Sequence, residues 1–261
     1  MAILNSQHLR DYPARPDKVY LYGTCLADTL FPESGMDAIT LLEQQGIEVL
    51  FPMGQTCCGQ PAYNSGYEQE ARKVALAQIK QFPLEIPIVI ISGSCGGMMR
   101  HHYADLLRDE PGIEDFCNRI FEFTEFLVHV LKIKLQDKGA SEKVALHTSC
   151  AARREMGVHI TGRALLSQLE NVTLITHENE SECCGFGGTF AVKHADISAA
   201  MVADKTQSLL EADVVRYVTA DNGCRMNING SLEYQKQSLR GEHIASYLLS
   251  RVTGGTDGEP S

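Results

Sequence analysis

The chain has 261 residues, 44% of them apolar and 21% charged, with 22 Gly and 9 Pro, the profile of a folded protein with a sizeable core rather than a disordered or fibrous one. Its 33 acidic side chains against 23 basic ones leave a net charge of −10, which argues against a nucleic acid or an anionic membrane surface as the main partner and suits a small molecule or another protein. The longest strongly apolar run, IPIVII at 86–91, is far short of the ~20 residues of a bilayer-spanning helix, so no membrane span is expected. The opening stretch MAILNSQHLRDYPARPDK lacks a charged segment followed by an apolar one, so it does not read as a secretory leader and the expected compartment is the cytoplasm. Nine cysteines in a reducing compartment then point to metal or redox chemistry rather than to disulfides.

In chain order, short apolar or β-branched runs bounded by turn residues predict strands at 19–22, 48–51 and 88–91. Helical spacing of Ala, Leu, Ile and Val predicts helices at 36–44 and 68–81, and FEFTEFLVHVL at 121–131 reads as a closing amphipathic helix. After a polar, Gly-containing joint at 136–141 the pattern returns, with strands predicted at 144–147, 173–176 and 214–218 and helices at 162–169, 196–210 and 242–252. The tail GGTDGEPS has nothing to bury and is expected to fray. Strands alternating with helices predict βαβ units, hence an α/β fold with small parallel sheets.

The return is a duplication. KVYLYGTC at 18–25 and KVALHTSC at 143–150 share Lys, Val, Leu and Cys at matched positions. Cys25, the pair Cys57-Cys58 and Cys95 are answered by Cys150, the pair Cys183-Cys184 and Cys224, with separations of 32 against 33 residues and then 37 against 40. Two tandem, pseudo-symmetric domains follow, 1–138 and 139–261.

Each repeated cysteine is expected in a loop just after a strand, at the carboxyl edge of its sheet, where open α/β sheets place ligand sites. Four thiolates from three loops match a [4Fe–4S] cluster or a tetrahedral zinc ion. Neither half has the CxxC knuckle usual for structural zinc, and vicinal cysteines in extended backbone point apart, which suits the irons of a cluster better than one ion; iron–sulfur is favoured. Glycines at Gly59, Gly93, Gly96, Gly97, Gly185, Gly187, Gly188 and Gly223 bring bare backbone, with N–H donors for sulfur, close to the same place.

Other features read more plainly. Gly185-Phe186-Gly187-Gly188 matches neither GxGxxG nor the phosphate-binding GxxxxGK[ST], and no GxSxG or HExxH is present. Cys117 has no counterpart in the second half and reads as a small buried side chain. His147, at the position of Tyr22 in the repeat, and the pair His101-His102 read as packing or surface residues. Arg153, Arg154 and Arg225 lie beside ligand segments, either to offset cluster charge or as solvated surface charges.

The doubled Cys-Cys-Gly plan, spanning nearly the whole chain, resembles the cysteine-rich CCG domain family of iron–sulfur proteins. That family includes the B subunit of heterodisulfide reductase and the iron–sulfur subunit of glycolate oxidase. The carrying segments are YGTC at 22–25, QTCCGQP at 55–61, SGSCGGM at 92–98, ECCGFGG at 182–188 and NGCRMN at 222–227, and the chain looks most like the small stand-alone members of lactate-oxidising systems. The resemblance implies an electron-transfer subunit of a cytoplasmic complex that oxidises L-lactate to pyruvate, an oxidoreductase component without complete activity alone, and leaves the catalytic residues unassigned. It further implies two [4Fe–4S] clusters, on Cys25, Cys57, Cys58 and Cys95 and on Cys150, Cys183, Cys184 and Cys224. Its partners would be a larger ferredoxin-like iron–sulfur subunit and a small third subunit. Full heterodisulfide-reductase sites add a fifth cysteine where this chain has Met98 and Asn227, which speaks for an ordinary four-iron cluster and against disulfide cleavage. A thiol reductase-type subunit and a zinc-binding structural module stand as the alternatives.

Overall fold

The computed structural model describes residues 10–255; residues 1–9 and 256–261, which carry parts of the expected non-leader segment and of the expected frayed tail, lie outside the described residues. The first half runs β1 (Lys18–Tyr22), α1 (Cys25–Leu30), α2 (Pro32–Gln44), β2 (Glu48–Leu50), α3 (Gln60–Asn64), α4 (Glu68–Ile79), β3 (Ile88–Ile90) and α5 (Gly93–Gly97). A π-helical turn, Met98–His102, leads to α6 (Tyr103–Leu106), α7 (Ile113–Asn118), β4 (Ile120–Glu122) and α8 (Phe123–Glu125), which continues as the π-helical Phe126–Leu131. The second half repeats the order as β5 (Glu142–His147), α9 (Cys150–Glu155), α10 (Val158–Leu166), β6 (Val172–Ile175), α11 (Phe190–Lys193), α12 (Ala195–Glu211), β7 (Arg216–Thr219), α13 (Asn222–Tyr234), β8 (Arg240–His243) and α14 (Ile244–Thr253).

Two four-stranded sheets result, ordered β2-β1-β3-β4 and β6-β5-β7-β8, and every neighbouring pair is parallel. This is the α/β architecture of parallel sheets read from the alternation. Strand order reverses beside β1 in one sheet and beside β5 in the other, so the segments leaving β1 and β3, or β5 and β7, diverge and open a crevice at the carboxyl edge.

The fourth strand of each sheet departs from the sequence reading, which gives 121–131 and 242–252 wholly to helix. Here β4 and β8 enter their helices without an intervening turn, because the last strand residue is also the helix N-cap. Glu122 accepts from the backbone N–H groups of Thr124 and Glu125 in a capping box with Glu125, and His243 Nδ1 accepts from Ala245 N. With no loop to mark the boundary, helical periodicity absorbs the strand.

Side chains alternate across the strands. Val19 and Leu21, Val89 and Ile91, Val144 and Leu146, and Val218 all enter one core that spans both halves, with α2 packed against α14. The opposite faces carry separate clusters, with Tyr20 and Tyr22 in the first half and Ala145 and Tyr217 in the second. At the junction Gly93 of α5 meets Ala152 of α9 so closely that a Cβ would sit 2.3 Å from the alanine Cβ. His243 Nε2 donates to the Ile91 carbonyl at 2.8 Å. The joint at 136–141 is pinned to the second half through Asp137, whose carboxylate pairs with Arg251 at 2.7 Å.

Candidate metal centre

The eight repeated cysteines do not all lie in loops. Cys25 and Cys150 are the first residues of α1 and α9, and Cys95 and Cys224 are each the third residue of α5 and α13; the pairs Cys57-Cys58 and Cys183-Cys184 lie in loops after β2 and β6. The chain passes from strand to helix across two linking residues at most, which leaves no loop for the single cysteines. These sulfurs therefore sit at the N-terminal ends of their helices.

All eight line one cavity of about 150 Å³, at the carboxyl edges of both sheets. In the first half Cys58 Sγ lies 3.4 Å from Cys95 Sγ; in the second, Cys184 Sγ lies 3.1 Å from Cys224 Sγ, and Cys150 Sγ lies 3.9 Å from Cys183 Sγ. Gly59 and Gly185, each directly after its pair, both take φ +83°, a conformation open to glycine at little cost, and both donate N–H to the first sulfur of the pair, Cys57 or Cys183, at 3.4 Å. Hydrogen bonds from Cys25 and Cys58 hold the Cys57 thiol down at about 3, and bonds from Cys150 and Cys184 hold Cys183 at about 2, while the donors Cys25 and Cys150 are pushed up. Metal coordination would displace the thiol protons.

The donor set fits an iron–sulfur cluster: four convergent thiols per half, a backbone N–H on sulfur, and glycine where a side chain would intrude. A Cβ on Gly185 would lie 2.7 Å from the Ser198 carbonyl, and one on Gly223 2.5 Å from the Phe186 ring. A tetrahedral zinc–thiolate site spaces its sulfurs about 3.8 Å apart. Among the described residues, the one triple of candidate donors within 4.8 Å of one another is His147, Cys184 and Cys224, so neither set of four thiols closes onto a single ion.

A buried carboxylate joins the halves in the wall of the cavity. Asp221 Oδ1 accepts from the hydroxyls of Ser92 and Ser94, each at 2.5 Å, and Oδ2 accepts from Ser149 at 2.5 Å. Ser94 and Ser149 immediately precede Cys95 and Cys150, and Ser149 Oγ also caps α9 through Ala152 N. The carbonyl after each vicinal pair is fixed as well: Tyr103 Oη donates to Cys58 O and Asn227 Nδ2 to Cys184 O, both at 2.8 Å. Asn227 therefore spends its amide on backbone, and Met98 is fully buried in the first half's outer apolar cluster.

Among the remaining sequence candidates, Cys117 is buried and donates to Met99 O at 3.3 Å, its thiol pushed up to about 11 by burial. His101 and His102 both face Glu155 of α9, at 3.0 and 3.2 Å. Arg153 pairs with Glu180 and Arg225 with Glu33, and Arg154 is exposed. The cation buried beside the second cysteine set is Lys205 of α12, 1% exposed, with Nζ on the Asn179 carbonyl and its charge felt by Cys184 and Cys224. Its place in a helix with no motif gave no signal in the sequence. His147, read as a packing or surface residue, is fully buried, with a ring nitrogen within 4.8 Å of Cys184 and Cys224 Sγ.

A cysteine-rich domain model, CCG, matches residues 19–100 and again 144–229, once over each set of four cysteines. This chain belongs to the CCG family. Among family sequences it is 41% identical over 235 residues to the lactate utilization protein A of Halalkalibacterium halodurans, covering 88% of this chain and 96% of that one. It is 42% identical over 242 residues to the lactate utilization protein A of an Exiguobacterium species, covering 90% and 98%. The CCG fold is shared, at 12% identity and a TM-score of 0.61, with a hypothetical protein from Helicobacter pylori, over 95% of this chain and 52% of that one.

Proposed function

We propose that the chain is an iron–sulfur electron-transfer subunit of a cytoplasmic complex that oxidises L-lactate. Cys25, Cys57, Cys58 and Cys95 of the first unit, 1–138, would hold one [4Fe–4S] cluster, and Cys150, Cys183, Cys184 and Cys224 of the second, 139–261, another. The observation that carries this reading is the duplicated vicinal pair, each with its glycine N–H on sulfur, opening onto one cavity. Such clusters supply one-electron transfer.

The chain's own residues supply the rest. Gly59 and Gly185 donate to sulfur; Tyr103 and Asn227 fix the backbone of the two pairs; Lys205 offsets negative charge beside the second set; and the cavity that both thiol sets line supports a path between two stations. Lactate as the electron source rests on the full-length relatives named for its utilization. Nine free cysteines suit a reducing compartment. The partners would be a larger ferredoxin-like iron–sulfur subunit and a small third subunit, with the hydroxy acid bound among them. Among the described residues no helix is long and apolar enough to cross a membrane.

The test is iron, acid-labile sulfide and zinc per chain after anaerobic purification, with the visible spectrum recorded before and after dithionite. About eight irons with matching sulfide and a bleachable spectrum are expected. Colourless protein with zinc and no sulfide would overturn the reading.

A further inference from the structure

The two sets of four cysteines are built alike, but the residue at the end of the central strand differs. In β1 it is Tyr22, whose hydroxyl donates to the Thr56 carbonyl at 2.5 Å, so its one polar atom is committed to backbone. In β5 it is His147, on the strand face that carries Ala145, fully buried, with neither ring nitrogen hydrogen-bonded. Buried polar atoms without a partner are rare because each forfeits its hydration, and a side chain with two of them calls for an explanation.

The other buried histidines of the second half give the comparison. His243 is as deeply buried, and both its nitrogens are engaged, Nε2 with Ile91 O and Nδ1 with Ala245 N. His177 commits Nδ1 to Ser208 Oγ at 2.9 Å. His147 alone of the three has neither nitrogen used. One of its ring nitrogens instead lies within 4.8 Å of both Cys184 Sγ and Cys224 Sγ. Neutral imidazole offers a metal a nitrogen lone pair.

We propose that His147 supplies a nitrogen ligand to the metal centre of the second half, on the side of Cys184 and Cys224, so that the two centres differ in ligand chemistry, thiolate alone in the first and thiolate with imidazole in the second. This deepens the iron–sulfur reading and rests on it. Imidazole binds iron well, and as a neutral donor added to the four thiolates it brings no further negative charge to the centre. The buried Lys205 ammonium beside Cys184 and Cys224 is the charge that favours the reduced form of the second centre.

The experiment is pulsed electron paramagnetic resonance on the dithionite-reduced full-length protein, grown with natural-abundance or ¹⁵N-labelled histidine, with iron and sulfide measured on the same samples. The expected result is a nitrogen coupling that changes with the isotope and is lost in His147→Ala, while the signal of the first centre is unchanged. His147→Tyr, which copies the first half, is the second variant should the alanine protein fail to fold, and Tyr22→Phe is the control that leaves the coupling in place. Full iron and sulfide with no isotope-sensitive coupling, or a coupling that survives both His147 variants, overturns the proposal and leaves the cluster reading standing. Absence of iron and sulfide from the wild-type protein overturns both.

Discussion

Asp221 accepts a 2.5 Å hydrogen bond from the hydroxyl of Ser94, a residue 127 positions away in the other half of the duplication. With its second oxygen on Ser149, one buried carboxylate ties together the segments that carry Cys95, Cys150 and Cys224. Asp221→Ala removes a charge-assisted acceptor from three hydroxyls and is expected to destabilise the protein by about 3 to 5 kcal/mol, with Asp221→Asn near half of that. Anaerobic denaturant titration measures it, and iron content should fall in both halves together. An alanine variant as stable as wild type would show that the hub does not hold the sites.

The two positive-φ glycines differ in what surrounds them. An alanine Cβ at Gly59 would meet the Ala71 carbonyl and Val74 at 3.4 Å, ordinary contact, whereas at Gly185 it would meet the Ser198 carbonyl at 2.7 Å. Gly59→Ala should therefore cost about 1 to 2 kcal/mol, the strain of a left-handed alanine. Gly185→Ala should cost at least twice that, because α12 must also shift. Equal losses in the two variants would contradict the assignment of the extra cost to the Ser198 contact.

Serine in place of Cys57 or Cys183 removes the sulfur that accepts both a neighbouring thiol and a glycine N–H. Each single variant is expected to lose about half of the iron and of the visible absorption, and the double variant nearly all of it. Unchanged iron content in both singles would sink the ligand assignment.

His243 sets part of the pH dependence of stability. Burial holds its imidazole down at about 4 against 6.5 for an ordinary histidine, so the unfolded chain takes up a proton between these values that the folded chain refuses. The contribution is complete above pH 6.5 and fades as pH falls toward 4, by about 3 kcal/mol in all. His243→Gln lacks that share, so the stability gap between wild type and variant should narrow by this amount between pH 7 and pH 4. A gap that stays constant over the window would contradict it.

Much of this was legible in the residues. Short β-branched runs reveal the first three strands of each sheet, most clearly the inner β1, β3, β5 and β7, whose buried faces need no alternation, and equal cysteine spacings reveal the duplication. The fourth strands were hidden because RGEH in β8 has almost no apolar content and both strands run straight into helices. Sequence alone puts the single cysteines in loops because it does not show how few residues separate a strand from its helix. Asp221 and Lys205 escape sequence reading for a shared reason: each has its partners far away along the chain, and only the folded crevice brings those partners near.

The core that spans both sheets has a consequence for how two redox stations can come to differ. A single half that assembled with its own copy to make this crevice would carry the same side chain at both strand ends, and its two stations would be chemically identical. Covalent fusion lifts that restriction. One strand ends in tyrosine and the other in histidine, and on the proposed function a path between the two stations would have a direction that a symmetric pair of chains could not have.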